Sequence, residues 1–153
     1  MPVFNSSRLV VVAPAVAYAV AADVASYRDF LPLLESSAIV GPSTESNGIK
    51  SFNAELIVGY AKLNFREAFI SRVFCDAARW TVIASSQQPP FRDMKTTWTI
   101  RDVNGTSDVS ISIDYAMRSM MLQFAVSAAM EMAVQKVMSA FEARALAMAQ
   151  VKA

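Results

Sequence analysis

The sequence predicts an α+β fold in which a curved antiparallel sheet wraps around one long C-terminal helix. Two observations carry this. From Ser36 to Tyr115 apolar and polar residues alternate at period two, with turn signals at Gly41-Pro42, Asn47-Gly48, Pro89-Pro90 and Asn104-Gly105. From Ser119 to Met148 there is no Gly or Pro and most residues are good helix formers, which gives one helix about 45 Å long. A sheet with one apolar face needs a cover, and this helix is the only predicted element long enough to supply it.

Taken in order, Ser7 to Val12 is a short β-branched run ended by Ala13-Pro14, so it reads as a strand leading into a helix with Pro in its first turn. Ala15 to Asp23 is that helix. Ala25 to Leu34 is a second short helix, stopped by Pro32 because the residue before proline avoids the α region. The meander follows. Phe52, Ala54, Leu56, Val58 and Tyr60 share one face of a strand; Leu63, Phe65, Phe69 and Val73 share a face of the next. Trp80, Val82 and Ala84 suit a central strand, Met94, Trp98 and Ile100 another, and Val109, Ile111, Ile113, Tyr115 and Met117 alternate with polar neighbours in the last. In the helix, Met120, Phe124, Ala128, Val134, Val137, Met138, Phe141, Ala145 and Met148 recur at three- and four-residue steps as the expected inward stripe. Seven of the nine methionines fall between Met117 and Met148.

The 153 residues suffice for one domain with a real core, and no linker, repeat or low-complexity segment divides residues 1–153. With 18% charged residues and a net charge of +1, the chain is neither disordered nor a general nucleic-acid binder. Cys75 is the single cysteine and there is no histidine, which excludes Cys/His zinc sites, thiol-protease dyads and Ser-His-Asp triads. Acid-base chemistry would fall to Asp, Glu, Tyr or Lys, so a non-enzymatic role is expected. The apolar run Leu9 to Ala22 is interrupted by Pro14 and is too short to span a bilayer, so a cytoplasmic protein without a signal peptide or transmembrane segment is expected.

Several segments together resemble the helix-grip superfamily of START and Bet v-like domains, and within it the coenzyme Q-binding START-domain family of polyketide cyclase/dehydrase proteins, which includes the RatA-type toxins. The segments are Ala13-Pro14, Asp23-Val24 with Tyr27 and Phe30-Leu31-Pro32, Glu67 to Val73, Pro90-Phe91 with Trp98, and Ala140 to Ala145. Their order and spacing, over nearly the whole chain, carry the likeness. Leu33 stands where family members often have Trp, and Pro89-Pro90-Phe91 where they often have Gly-Pro-Phe; the first keeps an apolar group and the second stiffens the loop.

The resemblance implies an apolar cavity between sheet and helix, closed by loops near Phe30 to Pro32 and Phe91. It implies as occupant ubiquinone or a related isoprenoid lipid, carried without catalysis in support of respiration and quinone biosynthesis. The expected ligand contacts are Phe30, Leu31, Pro32, Leu56, Phe65, Glu67, Phe69, Phe91, Trp98, Ile113, Tyr115, Met121, Phe124 and Met138, with no catalytic residue, metal or cofactor. For the methionines and aromatics the alternative is ordinary core filling. For Glu67, which shares parity with Phe65 and Phe69, either a polar head group or water bound inside, or a bulge or strand-end position from which it reaches solvent or pairs with Arg66 or Arg72, satisfies the carboxylate. Arg118, Met120, Met121 and Leu122 form an apolar tip flanked by a cation, suited either to transient contact with the inner membrane surface or to loop packing. Two rival functions stand beside the carrier: a RatA-like toxin that binds the large ribosomal subunit and blocks subunit association, and an aromatase/cyclase-type enzyme.

Overall fold

The computed structural model describes residues 3–61 and 64–152. Its elements are β1 (Val3–Val10), α1 (Pro14–Ala22), a 3-10 helix (Val24–Asp29), β2 (Leu34–Ser46), β3 (Ile49–Tyr60), β4 (Phe65–Asp76), β5 (Thr81–Ser86), β6 (Phe91–Val103), β7 (Thr106–Met117) and α2 (Met120–Lys152). The strands form one seven-stranded antiparallel sheet in the order β1-β7-β6-β5-β4-β3-β2. This is the expected fold, with the helix laid on the concave face.

The turns follow their chemistry. Asn47-Gly48 and Asn104-Gly105 both hold two consecutive left-handed residues, with φ of 53° and 79° and of 54° and 85°, the type I′ geometry that Asn-Gly tolerates best and that matches strand twist. Gly41-Pro42 behaves differently from its reading as a turn. It lies inside β2, where the pairing with β3 shifts register between Val40 and Thr44 and Gly41 has a φ of 76°, so it is a bulge in an edge strand, a place that tolerates proline. Trp80 precedes β5 with a φ of 49° instead of standing within it. The second helix is a single 3-10 segment ending at Asp29, anchored where the Ser37 hydroxyl donates to the Ala25 carbonyl and accepts from the Arg28 amide. Leu63, placed by sequence in the fourth strand, lies outside the described residues.

Alternation in the sheet is as expected. Register lines Phe52, Val73, Ala84, Thr96, Ile113 and Phe4 into one inward-facing row across six strands, and Cys75, Val82, Trp98 and Ile111 into a neighbouring row. Helix α2 covers these rows unevenly. Its C-terminal half is packed: Val134, Met138, Phe141 and Ala145 are buried with Val10, Ala17, Val20, Ala21 and Trp98, and the Phe141 ring stacks on Trp98 at 4.7 Å. Here α1 lies against α2 as a second cover. Along its other flank, β1 presents Ser6 and Arg8 to the helix, where Gln135 donates to Ser6 and Arg8 pairs with Glu142 at 3.2 Å while donating to Ser139.

Phe141 is wholly buried in this dense half, so Phe141→Ala opens a void that its neighbours cannot close. A destabilisation of about 3–5 kcal/mol is expected, measurable by urea unfolding.

Candidate functional site

The N-terminal half of α2 meets the same sheet without filling the space. The facing positions are small: Ala84, Thr96 and Ser71 on the sheet, and Ala129 and Ala133 on the helix. Small side chains on both walls leave a void that close packing would otherwise remove. The result is a cavity of about 290 Å³, near the lower end of ligand-pocket sizes. Large residues frame it: Phe69, Met94, Tyr115 and Met117 form a buried cluster with Phe65, Phe91, Leu122, Val126 and Met130 against it, and Trp98 and Val134 close the end toward the packed core. Phe69 and Phe91 meet edge-to-face at 5.0 Å. Half-buried lining residues, Leu31 to Leu34, Val58, Tyr60, Phe65, Phe91 and Met130, make the rim.

Among the described residues no lining side chain is charged, and the few polar groups are mostly committed to the protein itself. The Ser71 hydroxyl donates to the Ser85 carbonyl at 3.2 Å. Tyr27 donates to the Ala21 carbonyl, and burial, with smaller contributions from Cys75 and Asp23, pushes its phenol well above the usual range, so it stays protonated. Tyr115 is fully buried and its hydroxyl lies 2.7 Å from that of Ser127. Gln123 continues this chain, donating to Ser127 at 3.2 Å and accepting from the Met117 amide at 2.7 Å. That network fixes the start of α2 to the end of β7 beside the cavity.

The loop at the rim is held from the same side. Arg118 donates to the carbonyls of Phe91 and Gln87 at 2.8 and 2.6 Å, and the Ile70 amide donates to Gln88 at 2.8 Å. Leu33, with a φ of 71°, lines the cavity and its carbonyl accepts from the Gly59 amide at 2.8 Å. Beside Gly59 lies the Glu35 carboxylate, which pairs with Arg66 at 2.9 Å, so a side chain added at Gly59 would displace that exposed carboxylate.

Nine of the expected contacts line the cavity, Leu31, Pro32, Leu56, Phe65, Phe69, Phe91, Trp98, Ile113 and Tyr115, and five do not. Phe30 packs outside, edge-on to Tyr27 at 6.0 Å and under the Arg144 guanidinium at 5.2 Å. Glu67 keeps the inward parity, paired in register with Val58, yet its side chain is exposed and forms no ion pair among the described residues. It sits at the third residue of β4, and water is open to its carboxylate there without the desolvation cost of the apolar interior. Met121 and Phe124 point into solvent, while Met138 is buried in the packed core. The reason is one of phase. At 100° per residue Phe124 and Met138 lie on nearly the same side of α2, but α1 covers that side only along the C-terminal half, where Met138 stands.

Sequence reasoning missed Val126, Ala129, Met130 and Ala133, which form the helix wall. Their three- and four-residue spacing was visible, but alanine carried no signal of lining a void. Among the described residues no cluster of three or more His, Cys, Asp or Glu is placed to hold a metal, and no helix is long and apolar enough to cross a membrane.

A family model described as polyketide cyclase/dehydrase and lipid transport matches residues 10–142. Among solved structures the chain is similar to the Zhui aromatase/cyclase from Streptomyces sp. R1128, with a TM-score of 0.80 and 18% identity over 94% of this chain and 93% of that one. It is similar to an 18 kDa protein from Caulobacter crescentus, with a TM-score of 0.80 and 23% identity over 95% of this chain and 96% of that one. A START superfamily protein from Mycobacterium smegmatis matches with a TM-score of 0.78 and 14% identity over 95% of this chain and 98% of that one. At these identities the likeness is one of fold. No curated protein matches the chain.

Filling the void from the helix side isolates its role. Ala133→Trp is expected to occupy the cavity, abolish uptake of a solvatochromic apolar dye, and leave the circular dichroism spectrum unchanged.

Proposed function

Since the chain belongs to the polyketide cyclase/dehydrase and lipid transport family, we propose that it is a non-catalytic binder of ubiquinone or a related isoprenoid lipid, of the coenzyme Q-binding START-domain branch. The observation that carries this reading is the lining: among the described residues it is apolar almost throughout, uncharged, and bounded by aromatic rings that suit a quinone head. Burial of each methylene of a tail contributes about 0.8 kcal/mol, so affinity is mostly hydrophobic. A cavity of about 290 Å³ holds a head group and the first part of a tail; the remainder lies along the rim. The protein takes its cargo from a membrane and releases it to one.

The aromatase/cyclase reading draws on the fold likeness to the Zhui enzyme and on Tyr115 and Ser127, whose hydroxyls stand together beside the cavity. Against it, among the described residues no carboxylate, amine or imidazole lines the space to move a proton at neutral pH, and Tyr27 is held protonated.

Mass spectrometry of lipid extracted from natively purified protein is expected to find a co-purifying isoprenoid quinone, and Glu67→Gln, outside the cavity, is expected to retain it in full. Protein devoid of quinone that also takes none from quinone-containing vesicles would overturn the reading.

A further inference from the structure

The first turns of α2 are built inside out. Between Met120 and Met130 the only polar side chains are Gln123 and Ser127, and both turn toward the protein, where they bond to Met117, Tyr115 and each other. The outward side is apolar: Met120, Met121 and Phe124 are 82%, 83% and 84% exposed. These three side chains, with exposed Ala128, fall within an arc of about 100° around the axis. On the opposite side of the same turns, Val126, Ala129 and Met130 line the cavity. A helix apolar on both sides matches an apolar medium on both sides.

We propose that this face, Met120, Met121 and Phe124, is a lipid-bilayer docking surface that seats the cavity against a membrane. Size selects the occupant. Three side chains of this kind present on the order of 500 Å², below the roughly 800 Å² per partner of a stable protein interface and suited to shallow insertion among acyl chains. Position agrees with size. The residue between them, Leu122, packs against the cluster that frames the cavity with Phe65 and Phe91, and Arg118 ties the rim loop to the start of the same helix. Insertion of this turn therefore brings the half-buried rim to the level of the lipid tails. The purpose of the contact rests on the lipid-carrier reading above; its existence does not.

The test is flotation of the full chain with vesicles of phosphatidylethanolamine and phosphatidylglycerol, wild type against the triple variant Met120→Ser, Met121→Ser, Phe124→Ser. All three positions are exposed, so the variant is expected to keep the wild-type melting temperature and its uptake of a soluble short-chain quinone. Its vesicle partitioning is expected to fall at least tenfold. In a second arm, Phe124→Trp is expected to be quenched by brominated acyl chains. Equal flotation of wild type and variant, or absence of quenching, overturns the proposal, as does a concentration-dependent dimer that the same substitutions abolish. Vesicle binding without quinone uptake would keep this surface and remove the quinone carrier instead.

Discussion

The rest of the structure depends on one constraint: a single helix must cover the whole apolar face of a curved sheet, and it covers it well over only half its length. Where α1 adds a second cover, Phe141 stacks on Trp98 and the interior is dense. Where α2 stands alone, Ala129 and Ala133 face Ser71, Ala84 and Thr96. Each of those residues is too small to reach across, and the unfilled distance between them is the cavity. The void thus follows from side-chain volume at a handful of matched positions, with no distortion of the sheet register that runs through them.

Keeping such a space open requires that its walls be held from elsewhere. Without dense packing beneath it, the N-terminal half of α2 is fixed by polar contacts at its start: Gln123 on the Met117 amide, Ser127 against Tyr115, and Arg118 on the Gln87–Phe91 loop. Each such bond contributes on the order of 1 kcal/mol, enough to position the helix without filling the interior. This division of labour explains why the polar residues of the first turns face inward and why Met120, Met121 and Phe124 are left outside.

Much of this was legible in the sequence. Period-two alternation placed Phe52, Phe69, Trp98 and Tyr115 on the inner face, and the Asn-Gly pairs marked two hairpins. Parity alone was insufficient at Glu67, because a strand's inward side is dry only where something lies over it. The helix was less legible for a related reason. A stripe drawn from Met120 through Phe124 to Met138 follows a helical period, yet α2 is apolar on several sides, so periodicity does not fix which side is covered. That depends on where α1 ends, a tertiary fact. Alanine at Ala129 and Ala133 reads as helix propensity and becomes informative only when the opposing residues are known to be small as well.

Hydrogen exchange along α2 tests most directly the claim that one helix has a packed half and an open half. Amides from Phe124 to Ala133 should exchange much faster than those from Met138 to Ala145 in the empty protein, and a short-chain ubiquinone should slow the first group while leaving the second unchanged. Uniform protection along the helix, or slowing by ligand confined to the C-terminal half, would contradict it.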